Sequence, residues 1–166
     1  MKYSGNTTLN HHIAKLHKKC LQDINLLIGN EGYIGHLPLF PKKEIVINTD
    51  LVEKEIRPKS RKKSMDMAFG VTSKNSKMKK ILMVELKFRK KEDFKKLSIT
   101  DIEEKASMSK TVLKGAIPLY DYFIIIFSPD VKKQAFKKLS QLALKDPKRV
   151  SKFKIQDIYE LKSDFF

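Results

Sequence analysis

The chain has 166 residues, of which 41% are hydrophobic, and this is the size and apolar content of a single globular domain. Thirty-five Lys and Arg residues oppose nineteen Asp and Glu residues, so the net charge of +16 makes a polyanion the first partner to consider. The chain has one cysteine, Cys20, which excludes an intramolecular disulfide and a multi-cysteine zinc site. The sequence shows neither a signal peptide nor an apolar run of the roughly 18–20 residues needed to span a membrane. We therefore expect a soluble cytoplasmic protein with no membrane partner.

The first segment is predicted to be one helix, because its apolar residues recur every three or four positions along a single stripe. These residues are Leu9, Ile13, Leu16, Cys20, Ile24 and Leu27. Thr7 or Thr8 is expected to cap the start of this helix, and Gly29 suits the left-handed position after its end. A loop rich in Gly and Pro over 29–43 and a short strand over 44–48 are predicted to follow.

Two strands separated by a polar turn form the best-defined unit of the sequence. In residues 65–71 every second side chain is large and apolar, which predicts a half-buried strand. A second strand is predicted over 81–89, with Glu85 on its polar face. The polar residues 72–79 between the strands are typical of a turn, whereas residues 50–63 show no clear pattern.

A helix and a buried strand are predicted after this hairpin. Thr100 and Glu103 fit a capping box, and a helical apolar stripe continues from there to Gly115. The nearly all-apolar segment 119–127 is typical of a strand that is covered on both faces.

The remaining chain is predicted to be mainly helical. Ser128 and Pro129 open a helix. Its inward face is predicted to comprise Val131, Phe136, Leu139, Leu142 and Ala143. The basic amphipathic tail from Ser151 predicts a short final helix. Because the sequence shows no internal repeat and no domain boundary, we expect one domain over 1–166, with the architecture of an α/β sandwich.

The hairpin is expected to bring two carboxylates together. If the turn is centred on Asn75 and Ser76, the numbers of paired residues sum to 151, and Asp66 then faces Glu85. Facing residues project to the same side of a sheet with Cβ atoms roughly 4.5–5.5 Å apart, and Lys87 projects to that side too. Carboxylates at this separation repel unless a cation neutralises them. Mg²⁺, which prefers one or two carboxylates together with waters and phosphates, is suited to this pair.

Lys87 would add a positive charge beside such a metal. There it would help to orient or deprotonate a water, or stabilise the charge that grows on a scissile phosphate. The alternative interpretation of the hairpin is a solvated cross-strand salt bridge between Lys87 and its acidic neighbours, which contributes little stability.

The order of the predicted elements resembles the PD-(D/E)xK nuclease superfamily. It runs from the strand with Asp66 through the turn to the strand with Glu85-Leu86-Lys87, and then to the helix and the buried strand. This superfamily includes type II restriction enzymes, Holliday-junction resolvases and phage and repair exonucleases. The resemblance covers about residues 60–127, and it implies a restriction endonuclease-like α/β/α sandwich with a central mixed sheet flanked by helices. It also implies a metal-dependent phosphodiesterase that uses Mg²⁺, or Mn²⁺ in its place. Asp66 and Glu85 would hold the metal, and Lys87 would be the catalytic lysine.

The sequence departs from the superfamily pattern in two places. Met65 replaces the nominal proline, which many members also lack. The first helix contains no glutamate, although members often place an acidic metal ligand there. Its only acidic residue is Asp23, and Glu31 lies just past its end, so Glu31 is the candidate third acidic ligand.

Basic residues are concentrated around the proposed site. Residues 57–96 hold fifteen basic and four acidic side chains, a net +11 of the chain's +16. The residues expected to contact nucleic-acid phosphates are Arg57, Lys59, Arg61, Lys62, Lys63, Lys74, Lys77 and Arg89. In the proteins that the chain resembles, the helix after the hairpin flanks the site, so Lys105, Ser109 and Lys110 are further candidates for contacts with the substrate backbone. The lysine run at 137–138 is typical of a solvated helix face.

Other motifs are weaker. Glu-x-Lys also occurs at 103–105 and 160–162, but residues two apart on a helix diverge by about 200°, and the second copy has no preceding carboxylate strand. The histidines of residues 11–17 lack the spacing of a zinc-binding helix. Cys20 lies on the apolar stripe and is expected to be a buried hydrophobic residue.

Three functions are compatible with these patterns. The first is a Mg²⁺-dependent endonuclease that hydrolyses phosphodiester bonds in DNA, with RNA as the alternative substrate, and cutting both strands with one small domain indicates a homodimer. The second is a non-catalytic basic nucleic-acid-binding module on the same fold, which the missing helix glutamate supports. The third is an interaction domain for an acidic protein. The concentration of charge around one hairpin favours the first two.

Overall fold

The computed structural model describes residues 1–40, 42–73, 78–88, 98–145 and 152–166, with residues 142–145 described by their backbone alone. The strands are β1 (Lys2–Tyr3), β2 (Leu21–Asp23), β3 (Ile45–Asn48), β4 (Met67–Thr72), β5 (Lys79–Lys87), β6 (Phe123–Phe127) and β7 (Phe153–Asp157). The helices are α1 (Gly5–Asn10), α2 (His12–Leu16), α3 (Ile24–Asn30), α4 (Thr49–Ile56), α5 (Ile99–Leu113), α6 (Pro129–Lys145) and α7 (Ile158–Phe165). A 3-10 turn over Lys18–Cys20 precedes β2.

All the described strands belong to one mixed sheet. Its order is β2-β3-β4-β5-β6-β7, and β1 lies alongside β4. The neighbours from β2 to β5 are antiparallel, whereas β6 and β7 run parallel to β5. Parallel neighbours need a crossover connection, and α5 and α6 lie in the two crossovers.

The predicted register of the hairpin is confirmed. Residue pairs from Met67 with Val84 to Thr72 with Lys79 all have numbers that sum to 151. The backbone bond from the Ser73 N–H to the Met78 carbonyl continues the same register toward the turn. The turn itself, residues 74–77, lies outside the described residues.

Helices cover both faces of the sheet, so the predicted α/β sandwich is confirmed at the level of layers. The strand residues Ala68, Met83 and Ile125 pack with α5 and α6 on one face. Their immediate neighbours in the strands pack with α3 and α7 on the other face. The period of two along each strand assigns alternate side chains to the two apolar cores.

The prediction of one long N-terminal helix is wrong. Two short helices, a 3-10 turn, β2 and α3 occupy that segment. Leu9 and Leu16, which the apolar stripe placed in the core, are 47% and 72% exposed. Segment β2 instead adds an edge strand beside β3, and the hydrogen bonds gained by that pairing override the helical periodicity.

The ends of these N-terminal helices are also not where the sequence indicated. Ser4, rather than Thr7 or Thr8, caps α1 by accepting a hydrogen bond from the Thr7 N–H. Thr8 is buried, and its hydroxyl accepts a hydrogen bond from the N–H of Gly70 in β4. A Cβ at Gly70 would lie 2.6 Å from the Thr8 backbone nitrogen, so the glycine permits the close contact between α1 and β4.

The C-terminal half agrees with the predicted order of elements, with four corrections. Ser98 caps α5, instead of Thr100. The strand predicted over 119–127 is shorter and begins at Phe123. Phe136 is 61% exposed instead of inward. The tail contains β7 as well as the predicted final helix α7. The sequence did not predict β7, because its five residues form a strand only by pairing with β6, and local sequence does not reveal that pairing.

Among the helices of the described residues, none combines the length and the apolar character that a membrane crossing would need.

Candidate active site

Asp66 and Glu85 lie side by side at one end of the hairpin. Asp66 directly precedes β4, and Glu85 lies near the end of β5, one register step beyond the pair Met67 and Val84. The carboxylate oxygen Oδ2 of Asp66 accepts a hydrogen bond from the Leu86 N–H at 2.5 Å, which joins the two strands at the carboxylates. Both carboxylates are buried, Glu85 completely.

The pKa of the Asp66 carboxyl is raised well above its ordinary value. Burial is the largest cause, and the negative charge of Glu85 is the next. The Lys105 ammonium and the Leu86 N–H act in the opposite direction, because they stabilise the ionised carboxylate. The two carboxylates therefore repel each other in the absence of a bound cation, as the sequence indicated.

The two oxygens of Glu85 differ in their surroundings. Oε1 lies 2.6 Å from Nζ of Lys87 and 2.6 Å from Nζ of Lys105. Oε2 is buried and has no hydrogen-bond partner among the residues that the structure describes. A buried carboxylate oxygen without a partner is costly, and a cation that binds it would remove this cost.

Lys105 projects from α5 onto the hairpin. Burial acts against its charge, but attraction to Glu85 and Asp66 outweighs burial, so the pKa of Lys105 is raised and the side chain stays an ammonium. The sequence placed Lys105 only as a contact to the substrate backbone. Its ion pair with Glu85 depends on the packing of α5 over the sheet, which no local pattern reveals.

A cavity of about 300 Å³ adjoins the carboxylates and shares the Lys105 side chain with them. Its lining residues are Asp50, Arg61, Lys62, Lys63, Ser64 and Lys105. We call the basic residues among them, Arg61, Lys62, Lys63 and Lys105, the cationic rim. The positive charge that the sequence concentrates before β4 thus borders the carboxylate pair, where a phosphodiester backbone would be attracted.

Acidic side chains hold parts of the cationic rim in place. Arg61 forms an ion pair with Asp50 at 2.5 Å, and Ser64 donates a hydrogen bond to the same carboxylate. Lys63 lies 2.8 Å from Asp101 at the start of α5. Sequence reasoning missed Asp50 and Ser64, because residues 50–63 showed no pattern from which α4 was expected.

The structure does not bring every predicted contact residue to this site. Arg57 forms an ion pair with the buried Glu53 one turn earlier in the chain. Ser109 is buried and its hydroxyl accepts a hydrogen bond from the Met65 N–H, so it positions the strand and is not free to contact substrate. Lys110 lines a different cavity, with Phe123 and Lys152.

The structure does not place the other four predicted contact residues at the site. Lys59 is exposed, and its contact with phosphate stays a prediction. Lys74, Lys77 and Arg89 lie outside the described residues.

Glu31 ends α3 close enough to Asp66 for its charge to contribute to the raised pKa of that carboxyl. This helix ends in a Schellman motif. The Tyr33 N–H donates a hydrogen bond to the Ile28 carbonyl, and the Gly32 N–H donates one to the Gly29 carbonyl. Gly32, with φ of 93°, takes the left-handed position that the sequence assigned to Gly29.

A complete metal-ligand set is not preformed in the described part of the chain, where no group of three His, Cys, Asp or Glu residues is placed to hold a metal ion. Two carboxylates with an unpartnered oxygen nevertheless suit Mg²⁺, which binds through one or two carboxylates, waters and substrate phosphates. The residues present therefore fit a Mg²⁺ ion that substrate and water help to coordinate.

In the part of the chain that the structure describes, the histidines and the cysteine belong to no group of metal-ligating residues. His11 is buried against the Leu113 carbonyl, and burial lowers its pKa to about 4. Cys20 is buried as predicted, and burial raises the pKa of its thiol to about 12, so it is not an activated nucleophile.

No family model, curated protein or solved structure matches the chain.

Proposed function

We propose that this chain is a metal-dependent endonuclease that uses Mg²⁺ to hydrolyse phosphodiester bonds in DNA, on a restriction endonuclease-like fold of the PD-(D/E)xK superfamily. One observation carries the proposal. A buried pair of carboxylates, Asp66 and Glu85, lies at one end of the hairpin with two ammonium groups, and Oε2 of Glu85 has no partner among the described residues.

The order of elements supports the same proposal. The elements follow one another in the order that the resemblance implies. The strand after Asp66 comes first, then the strand with Glu85 and Lys87, then helix α5 and the buried strand β6. The mixed sheet with helices on both faces is compatible with the proposed fold.

Each side chain has a role that its position allows. Asp66 and Glu85 would hold Mg²⁺, which supplies a Lewis acid that polarises the phosphodiester and favours deprotonation of the attacking water. Lys105 orients the Glu85 carboxylate through the contact at Oε1. Lys87 places a positive charge where the negative charge on the phosphate grows as water attacks phosphorus and the bond to the leaving sugar oxygen breaks.

The cationic rim would hold the DNA backbone beside the carboxylates. Contacts to phosphates position a nucleic acid without reading its sequence, so these residues account for binding and not for a recognition site. For a duplex substrate, cleavage of both strands by a domain of this size would need two copies, so a homodimer belongs to the proposal only where both strands are cut.

The test is cleavage of plasmid DNA and of labelled single-stranded and duplex oligonucleotides in Mg²⁺ by the wild type, Asp66→Asn and Lys87→Gln. We expect both substitutions to reduce cleavage by a factor of about 100 or more, because Asp66→Asn weakens the hold on Mg²⁺ and Lys87→Gln removes a positive charge beside the reacting phosphate. Lys137→Gln, which removes an exposed lysine of α6, is the matched control and should leave cleavage unchanged. Cleavage that persists in both site variants contradicts the proposal.

The alternative is a non-catalytic module that binds nucleic acid on the same surface. The lack of a group of three metal-ligating residues within the described ranges favours it. This module would bind DNA in a salt-sensitive way that neither EDTA nor Asp66→Asn changes, and it would show no cleavage at any Mg²⁺ concentration.

A further inference from the structure

Three parallel strands end in one row at the edge of the sheet that holds the carboxylates. Lys87 of β5 is paired with Phe127 of β6, and Phe127 is paired with Asp157 of β7. Neighbouring strands are about 4.8 Å apart, so Asp157 lies about 10 Å from Lys87 across the sheet. Tyr159, two residues after Asp157 at the start of α7, therefore lies at the same edge as the proposed site.

The loop after α3 reaches this edge from the other direction. Tyr33 is the last residue of the Schellman motif that ends α3, two residues after Glu31. Its ring packs edge-on against Phe88, the residue after Lys87, with centroids 5.3 Å apart. Its hydroxyl lies 3.2 Å from the hydroxyl of Tyr159.

Apolar surface is exposed at this position. Ile34 is 90% exposed and Tyr159 is 54% exposed, while Tyr33 is partly buried. We call Tyr33, Ile34 and Tyr159 the apolar rim. It lies on the side of the sheet covered by α3 and α7, whereas the cationic rim lies on the side covered by α5.

The two rims offer different chemistry to one ligand. Lysine and arginine side chains attract the phosphate backbone, and exposed aromatic and aliphatic side chains contact the faces of bases. In a duplex those faces are covered by stacking and pairing, whereas in a single strand they are available. A ligand that bridges both rims across the carboxylates is therefore a strand whose backbone and base faces are both accessible.

We propose that the apolar rim stacks against unpaired bases next to the scissile phosphate, and that the substrate of this site is single-stranded DNA or an unpaired segment of DNA. This inference rests on the proposed function for the cleavage step only, because the stacking contact needs no metal. Tyr159 supplies the aromatic face, Ile34 packs against the neighbouring base, and Tyr33 positions Tyr159 through the contact between their hydroxyl groups.

The test compares Tyr159→Ala and Ile34→Ser with Phe136→Ala. Phe136 is a matched control, since it is 61% exposed and belongs to α6, on the opposite face of the sheet from α7. Binding of a labelled single strand and of the duplex of the same sequence is measured by fluorescence anisotropy in EDTA. Cleavage of both substrates is measured in Mg²⁺.

We expect the wild type to bind the single strand more tightly than the duplex. Tyr159→Ala should weaken single-strand binding roughly tenfold, because stacking of one base on an aromatic ring has about that effect. Ile34→Ser should weaken it by a smaller factor, and duplex binding should change little. In cleavage, the loss should appear in KM and not in kcat, since the rim does not touch the reacting atoms.

Equal binding by Tyr159→Ala and Phe136→Ala, or a wild-type preference for duplex, overturns this inference. Failure of the proposed function is a separate result. A wild type that cleaves neither substrate contradicts the nuclease, and the binding comparison in EDTA still decides whether the apolar rim contacts unpaired bases.

Discussion

Lys105 holds one oxygen of Glu85 and leaves the other without a partner in the described structure. Its Nζ lies 2.6 Å from Oε1, the same oxygen that contacts Lys87, while Oε2 is buried and unpartnered. A carboxylate arranged in this way is positioned through one oxygen and can offer the second to a cation. The contact links helix α5 to the hairpin and couples the stability of the fold to the proposed site.

Replacement of Lys105 by Gln should therefore affect both stability and activity. We expect the free energy of unfolding to fall by about 1–3 kcal/mol, because the fully buried Glu85 loses one of its two ammonium partners. Because Lys105 also lowers the pKa of Asp66, its loss should move the acidic limb of the pH–rate profile to higher pH. Urea unfolding and the pH dependence of cleavage measure these effects, with Lys137→Gln as the control. Equal stability of the two variants would show that the contact contributes nothing.

Mg²⁺ should stabilise the folded protein in the absence of substrate. An ion that binds only the folded state at ten times its Kd adds about 1.4 kcal/mol, which corresponds to a rise in Tm of about 3–6 °C for a chain of this size. Asp66→Asn should abolish the rise, and Glu31→Gln should require a higher Mg²⁺ concentration if Glu31 completes the site. Thermal unfolding at increasing Mg²⁺ measures both. Asp121→Asn, which removes an exposed carboxylate paired with Lys80, should respond like the wild type.

The raised pKa of Asp66 predicts a pH dependence of stability. Between the ordinary value of 3.8 and the raised pKa of the folded state, the folded protein binds more protons than the unfolded chain. The free energy of unfolding should therefore fall as pH rises through this interval. Asp66→Asn cannot ionise, so its stability relative to the wild type should increase by up to about 1.4 kcal/mol per pH unit there and level off above the folded pKa. Urea unfolding in EDTA measures the difference, and a difference that is independent of pH would show that the Asp66 carboxyl does not titrate abnormally in the folded protein.

The cationic rim predicts a salt dependence of binding that individual residues control. Each phosphate contact contributes about −0.9 to the slope of log K against log salt concentration on duplex DNA and about −0.7 on a single strand. Arg61→Gln and Lys63→Gln should each make the slope shallower by about one contact. Lys137→Gln should leave it unchanged. Titrations at several salt concentrations give the slopes, and parallel lines for all three variants would remove these residues from the interface.

Local patterns were sufficient for the hairpin. The alternation along residues 65–71, together with one assumption about the centre of the turn, gave the register that pairs Met67 with Val84. This works because strand pairing around a short turn has few alternatives, and a shift by one residue would move every apolar side chain to the wrong face. The neighbourhood of Asp66 and Glu85 follows from that register alone.

The same kind of pattern failed in the first segment. Leu9, Leu16 and Cys20 have helical spacing, yet only Cys20 is buried. The segment breaks because β2 gains backbone partners on β3 and because Thr8 fits against Gly70. Strand β3 and Gly70 lie far along the chain from this segment, so local periodicity carries no information about them.

The sequence by itself determined the pairing of the two carboxylates, the neighbouring lysine of β5 and the excess of positive charge around them, because each of these depends on residues within one hairpin or on composition. Only the tertiary structure decided the contacts between distant elements. Lys105 of α5 forms an ion pair with Glu85, and Asp50 forms one with Arg61. The hydroxyl groups of Tyr33 and Tyr159 are in contact at the edge of the sheet. Such contacts join elements separated by many residues, and the packing of helices on both faces of the sheet, which no single segment specifies, brings them together.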